Sequence, residues 1–94
     1  MADVFQALSS PVRREIIAML KKRDMTAGEI DAKLGISKST LSGHFNVLKA
    51  ADLIVADKVG TTITYSLNAS VVEEMLASIM TLVGKEEQKQ GDSK

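Results

Sequence analysis

Residues 26–54 read TAGEIDAKLGISKSTLSGHFNVLKAADLI, and this stretch contains two helix patterns divided by a very short connection. Thr26 and Glu29 have the spacing of a capping box, which predicts the start of a helix that runs to Leu34. Gly35 then suits the left-handed backbone conformation that commonly ends a helix. The first half of the stretch is therefore predicted to be a short helix with a defined start and a defined end.

A second helix is predicted directly after the first. Ser37 suits its N-cap, and the helix is expected over residues 38–51. Its apolar side chains recur at helical spacing and are expected to face the core: Leu41, Phe45 and Leu48. Because only residues 35–37 connect the two helices, the pair has the short, glycine-containing connection of a helix-turn-helix unit.

A β-hairpin is predicted to follow this unit. Strands are expected over residues 53–57 and 62–67, and in the second strand apolar and polar residues alternate as in a half-buried strand. Residues 58–61 would form the turn, with Gly60 at positive φ. A hairpin directly after a helix-turn-helix indicates a winged helix-turn-helix, whereas the alternative is a small helical domain with an incidental hairpin. We favour the winged form because turn length, caps and strand alternation agree independently.

Two helices are predicted before this unit. Residues 3–8 suit a short helix with one apolar stripe. Ser10 and Pro11 suit the N-cap and the first residue of a longer helix, which is expected to end near Lys22.

One more helix is predicted after the hairpin, from Asn68 or Ser70 to about Val83, and Ser70 begins a second capping-box pattern. Residues 85–94 are polar and aperiodic and are predicted to be a disordered tail. The chain is therefore predicted to be one winged helix-turn-helix domain over residues 1–84 with terminal dimerisation helices. Its expected class is mainly α with a small β-hairpin (α+β), in the order α-α-α-α-β-β-α.

Composition limits the classes of protein to which the chain can belong. The 94 residues are 45% apolar and 26% charged, which suits one small domain and argues against wholesale disorder. The absence of cysteine excludes disulfides and thiolate metal sites. No apolar run could cross a bilayer and the N-terminus lacks a signal-peptide pattern, so we expect a cytoplasmic protein. Because no converging nucleophile and base and no glycine-rich phosphate loop are visible, we expect neither an enzyme nor a cofactor.

Charge is balanced in total but not along the chain. Twelve basic and twelve acidic residues cancel, whereas residues 32–51 contain three lysines and no carboxylate. On a helical wheel, the residues opposite the apolar stripe of the second helix are small and polar: Ser39, Ser42, Gly43, Asn46 and Ala50, flanked by Lys38, Thr40 and Lys49. An ordinary solvated face carries Glu–Lys pairs, so this face predicts insertion into a DNA major groove. The alternative is a solvated helix that happens to lack acids.

Several segments resemble the ArsR family of winged-helix repressors. Residues 7–20, ALSSPVRREIIAML, look like the opening of that family, and residues 36–54 look like its recognition helix and first strand. Residues 24–30, DMTAGEI, and 64–68, TYSLN, are similar to the subgroup that contains the autorepressor of a sporulation-delay toxin operon. The resemblance covers residues 4–83, and it implies a homodimer that represses transcription.

The resemblance also implies roles for individual residues. It assigns DNA contacts to the wing around residues 58–61 and to residues at the recognition helix: Ser37, Lys38, Ser39, Thr40, Ser42 and His44. Combined with the helical wheel, the predicted DNA-binding set is Ser37, Lys38, Ser39, Thr40, Ser42, Gly43, His44, Asn46, Lys49, Lys58, Gly60 and Thr61. Relatives often carry His or Arg at the position of Gly43, and glycine there removes a contact and lowers helix propensity by about 1 kcal/mol.

Metal sensing is not expected. The thiolate pair of the family's third-helix site would fall on Thr26 and Gly28, which are not metal ligands. The ligands of its last-helix site would fall on residues that are poor or incapable ligands: Asn68, Ser70, Thr81 and Gly84. His44 is the only histidine, and packing or a phosphate contact explains it better than ligation, since one histidine cannot complete a tetrahedral site.

The last predicted helix is apolar over most of its circumference, which is typical of a helix buried on two sides. We expect one side to pack on its own domain and the other on a two-fold partner, together with the first helix. The predicted dimer interface is Val4, Phe5, Leu8, Val72, Met75, Leu76, Ile79, Met80 and Val83. The alternative is a core helix with some exposed methionine.

The leading functional hypothesis is a dimeric repressor without a metal switch, whose recognition helices lie about 34 Å apart on an inverted-repeat operator of double-stranded DNA. Two alternatives are a winged helix that serves as a protein-interaction module, which zero net charge permits, and a sensor of a small ligand or, through a residual site, of a metal. A steep loss of DNA affinity with salt would support the first hypothesis. Calorimetric binding of a small molecule would support the last.

Overall fold

The computed structural model describes residues 3–84 of the chain. Its helices are α1 (Val4–Ala7), α2 (Pro11–Lys22), α3 (Ala27–Leu34), α4 (Lys38–Ala50) and α5 (Ala69–Ile79), followed by a π-helical segment (Met80–Gly84). Its strands are β1 (Met25–Thr26), β2 (Ile54–Val59) and β3 (Thr62–Leu67). Within residues 3–84, no helix is both long enough and apolar enough to span a bilayer. The predicted tail, residues 85–94, lies outside the described residues.

The first two helices begin as the sequence predicts. Asp3 caps α1, and its carboxylate accepts the amide proton of Phe5 at 3.0 Å. Ser10 caps α2, and its hydroxyl accepts from the amide of Arg13 at 3.3 Å. Pro11 occupies the first helical position, where an amide would have no partner within the helix.

The helix-turn-helix of α3 and α4 is also formed as predicted. Both bonds of the capping box are present: the amide of Glu29 donates to Thr26 Oγ1 at 3.1 Å, and the amide of Thr26 donates to Glu29 Oε1 at 2.9 Å. Gly35 ends α3 in the left-handed region, at φ 64°. Ser37 caps α4 by accepting from the amide of Thr40 at 3.2 Å. The end of one helix and the start of the next are therefore both satisfied by local bonds.

The hairpin is longer than predicted. β2 and β3 pair antiparallel over six residues each, in one unbroken register. β2 begins one residue later and ends two residues later than expected, because Lys58 and Val59 pair with β3 instead of forming the turn. The turn is therefore Gly60 and Thr61 alone, and Gly60 has the expected positive φ, 63°. Two-residue turns of this kind match the twist of the strands that they join.

A third strand was not predicted from the sequence. β1 pairs antiparallel with β3, with Met25 opposite Tyr65 and Thr26 opposite Thr64, so the sheet has the order β1-β3-β2. Two residues are too few to show the alternation by which a strand is recognised in a sequence. The short strand buries Met25 and joins the start of α3 to the wing, which is the β2–β3 hairpin.

The core lies between the helices and one face of the sheet. Its buried residues are Ala7, Ile16, Leu20, Met25, Ile30, Leu41, Phe45, Leu48, Ala51, Leu53, Ile54 and Tyr65. Of these, α4 contributes three residues, whereas α5 contributes none. The position of α4 is therefore determined by the chain's own core to a much greater degree than that of α5.

The start of α5 corrects one prediction. The helix begins at Ala69, so Asn68 occupies the N-cap position and the predicted Ser70 capping box is wrong. The amide of Asn68 donates to the carbonyl of Leu53 at 2.9 Å, beside the Ile54–Leu67 pair of the hairpin, so Asn68 is still extended and the helix begins at the next residue. Ser70 therefore lies inside the helix, whereas a capping residue has non-helical backbone angles.

The end of the last helix differs as well. A single helix to about Val83 was predicted, but the α-helix ends at Ile79 and continues as the π-helical segment. The hydroxyl of Thr81 donates to the carbonyl of Ala77 at 2.9 Å, which is the acceptor that the amide of residue 81 would use in an α-helix. The helix thus continues past Ile79 with the wider, i→i+5 turn of a π-helix.

Candidate nucleic-acid interface

The buried face of α4 determines what the helix exposes. Leu41, Phe45 and Leu48 are 3%, 4% and 0% exposed. The ring of Phe45 stacks on Tyr65 of β3, with centroids 4.1 Å apart and planes inclined by 22°. Such a pair contributes about 1 kcal/mol beyond the burial of its area. This contact joins α4 to the wing, so the two elements expected to touch DNA are held against each other.

The opposite face of α4 is open to solvent. We call it the recognition face, and its members are all exposed: Lys38, Ser39, Thr40, Ser42, Gly43, Asn46, Lys49 and Ala50. Nothing crowds its centre, since a Cβ built at Gly43 meets no atom within 4 Å. No other part of the described chain therefore occludes the surface that was predicted to enter a groove.

The charge on the recognition face is positive. Lys38 and Lys49 lie at its edges, and no carboxylate lies between residues 32 and 51. Within residues 3–84 the one salt bridge joins Arg23 to Glu29, at 3.5 Å, and both belong to other elements. Neither lysine is therefore neutralised by a described carboxylate, which leaves both able to attract phosphate.

Hydroxyl groups cluster where α4 begins. Ser37 Oγ donates to Thr40 Oγ1 at 2.8 Å and lies 3.4 Å from Ser39 Oγ. The first amides of the helix and the positive end of its dipole are in the same place, an arrangement that favours an anionic oxygen. The hydroxyl of Ser37 thus caps the helix and is at the same time exposed to solvent.

His44 differs from the other predicted contact residues of α4 because it is partly buried. Its Nδ1 lies 3.1 Å from Nη1 of Arg13 in α2. The same guanidinium donates from Nε to the carbonyl of Ala7 at 2.6 Å, and from Nη2 to the carbonyl of Gln6 at 3.3 Å. Sequence reasoning missed Arg13, because a contact between residues 31 positions apart leaves no periodic signal.

The wing residues that were predicted to touch DNA are accessible. Lys58, Gly60 and Thr61 are all exposed at the end of the hairpin. Within β2 only the first residue, Ile54, is buried. The tip of the wing therefore presents a lysine and a hydroxyl without interference from the described chain.

A second exposed surface, formed by α1, α5 and the π-helical segment, is apolar. We call it the apolar face, and its members are between 37% and 81% exposed: Phe5, Leu76, Ile79, Met80, Leu82 and Val83. The remaining predicted interface residues are partly buried: Val4, Leu8, Val72 and Met75. α5 thus rests on its own domain along one side and leaves its other side in water.

The positions at which a metal was considered have structural uses. The hydroxyl of Thr26 is part of the α3 capping box, and Asn68 is the N-cap residue of α5. Across residues 3–84, no group of three or more His, Cys, Asp and Glu side chains is arranged to hold a metal ion.

A cavity of about 230 Å³ lies between α3, α4 and β3. Its lining is mainly apolar, with Asp31, Lys38 and Ser42 as the charged and hydroxyl-bearing members. Tyr65 also lines it and is 4% exposed, and burial raises the pKa of its phenol. The cavity shares Lys38 and Ser42 with the recognition face.

Known proteins share both the sequence and the architecture of this chain. Residues 8–55 match the family described as a helix-turn-helix domain. The transcriptional repressor SdpR of Bacillus subtilis (strain 168) is 41% identical over 85 residues, which cover 90% of this chain and 94% of SdpR. The solved ArsR-like transcriptional regulator from Rhodococcus sp. RHA1 has a TM-score of 0.74 at 29% identity, over 96% of this chain and 84% of that one. HlyU from Vibrio cholerae N16961 has a TM-score of 0.71 at 28% identity, over 85% and 87%.

Proposed function

Because the chain belongs to the ArsR family of winged helix-turn-helix transcription regulators, we propose that it represses transcription by binding operator DNA as a homodimer. The observation that carries the proposal is the recognition face of α4, which is exposed, acid-free and flanked by lysines. A face of this chemistry suits the major groove, in which hydroxyl and amide groups reach base edges and lysines reach phosphates.

Contacts divide by chemistry into two groups. Lys38, Lys49 and Lys58 supply attraction to phosphate that is independent of base sequence. Ser42 and Asn46 lie in the middle of the recognition face, where their side chains can donate to and accept from base edges. Gly43 lies between them and lets the backbone approach the duplex.

The homodimer is supported by the apolar face. Full burial of a large apolar side chain contributes about 1.5–3 kcal/mol, and these six are between 37% and 81% exposed, so a partner that covers them gains the corresponding fraction from each. A two-fold partner on this face would place the two α4 helices about one DNA turn apart, so the operator is an inverted repeat. The dimer would act in the cytoplasm, where it competes with polymerase for the promoter.

Fluorescence anisotropy with the promoter DNA of the chain's own gene tests this function. Affinity should fall steeply as salt rises, with a log–log slope close to the number of phosphates neutralised. Lys38→Ala should weaken binding to promoter and random duplexes equally, whereas Ser42→Ala or Asn46→Ala should reduce the difference in binding free energy between the two duplexes by roughly 1–3 kcal/mol. Lys21→Ala, which removes an exposed lysine from α2, is the matched control. Equal behaviour of all three α4 variants on both duplexes would refute the division of contacts.

We also propose that repression has no metal switch. The support is chemical, because hydroxyl, amide and glycine residues occupy the positions of the family's ligands. Zinc, nickel or cobalt ions added at micromolar concentration should leave promoter affinity unchanged in the anisotropy assay. A tenfold change that a chelator reverses would contradict the proposal.

The cavity between α3, α4 and β3 favours a second function, the sensing of a small ligand. It is half open to solvent and has a volume of about 230 Å³, compared with roughly 150 Å³ for an enclosed cavity that holds benzene, so its volume admits one substituted ring. A polar substituent could bond the Tyr65 hydroxyl. Titration with p-cresol, or with toluene as the matched compound without a hydroxyl, should shift NMR signals of cavity residues. Tyr65→Phe should weaken the binding of p-cresol but not that of toluene. Unchanged spectra at millimolar concentration would rule out this class of ligand.

A further inference from the structure

We infer that Arg13 is a positioning residue that fixes His44 as the neutral tautomer with its proton on Nε2, so that His44 offers DNA a hydrogen-bond donor. The tautomer follows from contacts within the chain. The role of the donor rests on the proposed function.

The contact between the two side chains allows one assignment of the proton. Nη1 of Arg13 lies 3.1 Å from Nδ1 of His44, which is a hydrogen-bond distance. A guanidinium has five N–H donors and no acceptor, so Nδ1 has to provide the lone pair. A neutral imidazole has one donor and one acceptor nitrogen, and its proton is therefore on Nε2. An imidazolium would place a donor against a donor and a cation against a cation.

Arg13 is held in place before it meets the imidazole. Its Nε and Nη2 donate to the carbonyls of Ala7 and Gln6, at the C-terminal end of α1. The carbonyl of Gln6 also accepts from the amide and the hydroxyl of Ser9, at 3.0 and 2.7 Å, so the shorter bond to Ala7 is the main anchor of the guanidinium. Because the guanidinium is planar and rigid, these two bonds also set the direction in which Nη1 points.

The tautomer determines what His44 can do on DNA. His44 lies in α4 between Ser42 and Asn46, at the edge of the recognition face. Phosphate oxygens, and the guanine edge in the major groove, accept hydrogen bonds but do not donate them. A neutral histidine can therefore bind them through Nε2 only when that atom carries the proton. Arg13 selects this form and at the same time satisfies the partly buried Nδ1.

The next residue provides a matched control. Arg14 donates from Nη1 to the carbonyl of Leu8 at 2.9 Å, so it also ties α2 to the end of α1. No bond joins Arg14 to His44 among the interactions of residues 3–84. A variant of Arg14 thus removes a bond of the same kind from the same helix and leaves the histidine untouched.

Nitrogen-15 NMR tests the tautomer directly, without DNA. The chain has one histidine, so its ring signals are unambiguous. At about pH 8, where an ordinary imidazole is neutral, the wild type should show a protonated Nε2 and an unprotonated Nδ1. Arg13→Ala should move the two shifts toward each other as tautomers exchange, whereas Arg14→Ala should not. If Arg13→Ala does not fold, Arg13→Lys takes its place in the experiment, because lysine lacks the planar set of N–H donors that connects α1 to His44. A protonated Nδ1 in the wild type, or shifts insensitive to both Arg13 variants, would overturn the inference.

A double-mutant cycle tests the role on DNA. His44→Ala should weaken promoter binding about three- to tenfold, because it removes the donor. Arg13→Ala should weaken it about twofold, because the freed imidazole has its proton on Nε2 for only part of the time, and the double variant should resemble His44→Ala. Arg14→Ala should remain near wild type. Losses that multiply, or an equal loss in Arg14→Ala, would refute the positioning role. Absence of salt-dependent binding by the wild type to both the promoter and the random duplex would instead refute the proposed function, and the NMR result would still decide the tautomer.

Discussion

α4 and α5 are helices of similar length, 13 and 11 residues, yet they relate to the domain in opposite ways. α4 buries three side chains in the core and exposes a polar face without acids. α5 buries no side chain fully, and much of what it exposes is apolar.

The difference shows which of the two helices has a surface that is stable in water without a partner chain. A polar face is well solvated, so α4 can present it to water without loss of stability until DNA displaces that water. Exposed apolar area is unfavourable by about 25 cal/mol per Å², so α5 gains stability when a partner covers it. We therefore expect the position of α4 to be independent of protein concentration and that of α5 to depend on it.

The largest expected effect compares one leucine from each helix. Leu48→Ala should lower the free energy of unfolding by about 3 kcal/mol, because Leu48 is 0% exposed and its loss leaves a cavity. Leu76 is 52% exposed, so Leu76→Ala should change the stability of dilute protein by less than about 1 kcal/mol. Urea unfolding at two protein concentrations measures both values. Equal losses in dilute protein would show that the two helices do not differ as described.

A charge on the apolar face should separate association from folding. Leu76→Glu should weaken self-association at least about 100-fold, since the partner surface would have to bury an unpaired carboxylate. Sedimentation velocity measures the change, and Ala18→Glu, on the exposed side of α2, should leave it unaltered. The idea fails if wild-type protein is a monomer at micromolar concentration and still binds a single half-site tightly.

A methyl group added to the recognition face should have opposite effects on folding and on DNA binding. Gly43→Ala should raise the free energy of unfolding by about 0.5–1 kcal/mol, because alanine favours a helix and a Cβ meets no atom within 4 Å. The same methyl group should weaken promoter binding where the backbone lies close to the duplex. Gly28→Ala in α3, where a Cβ would lie 3.9 Å from Thr26 Oγ1, is the control for helix propensity alone. Unchanged or tighter promoter binding by Gly43→Ala would exclude close approach of α4.

The smallest expected effect concerns acid stability at the start of α3. The amide of Thr26 and the nearby Arg23 lower the pKa of Glu29 below its ordinary value of 4.5. A carboxyl group whose folded pKa is lowered stabilises the fold above its unfolded pKa, and this contribution is lost as pH falls through the folded pKa. In Glu29→Gln, Tm should therefore fall slightly less from neutral to acidic pH than it does in the wild type. If Tm depends on pH in the same way in the wild type and in Glu29→Gln, the pKa of Glu29 does not differ between the folded and unfolded states.

Local signals predicted much of this fold. Thr26, Glu29, Gly35 and Ser37 act on residues within one helical turn, so the helix-turn-helix could be predicted and is confirmed. The ArsR family expected from the sequence is confirmed by its relatives, and the subgroup by the match to SdpR. Ser70 shows where a local signal fails, because Asn68 is still bonded to Leu53 beside the hairpin and the helix begins at the next residue.

The amino-acid sequence by itself determined the limits of α3 and the start of α4, and it placed lysines without acids on one side of α4, since caps, glycines and periodicity act between near neighbours. The tertiary structure alone decided that Met25 joins the sheet, that Arg13 meets His44, and that α5 buries none of its side chains fully. These features depend on contacts between residues far apart in the chain, and such contacts exist only after the core has formed.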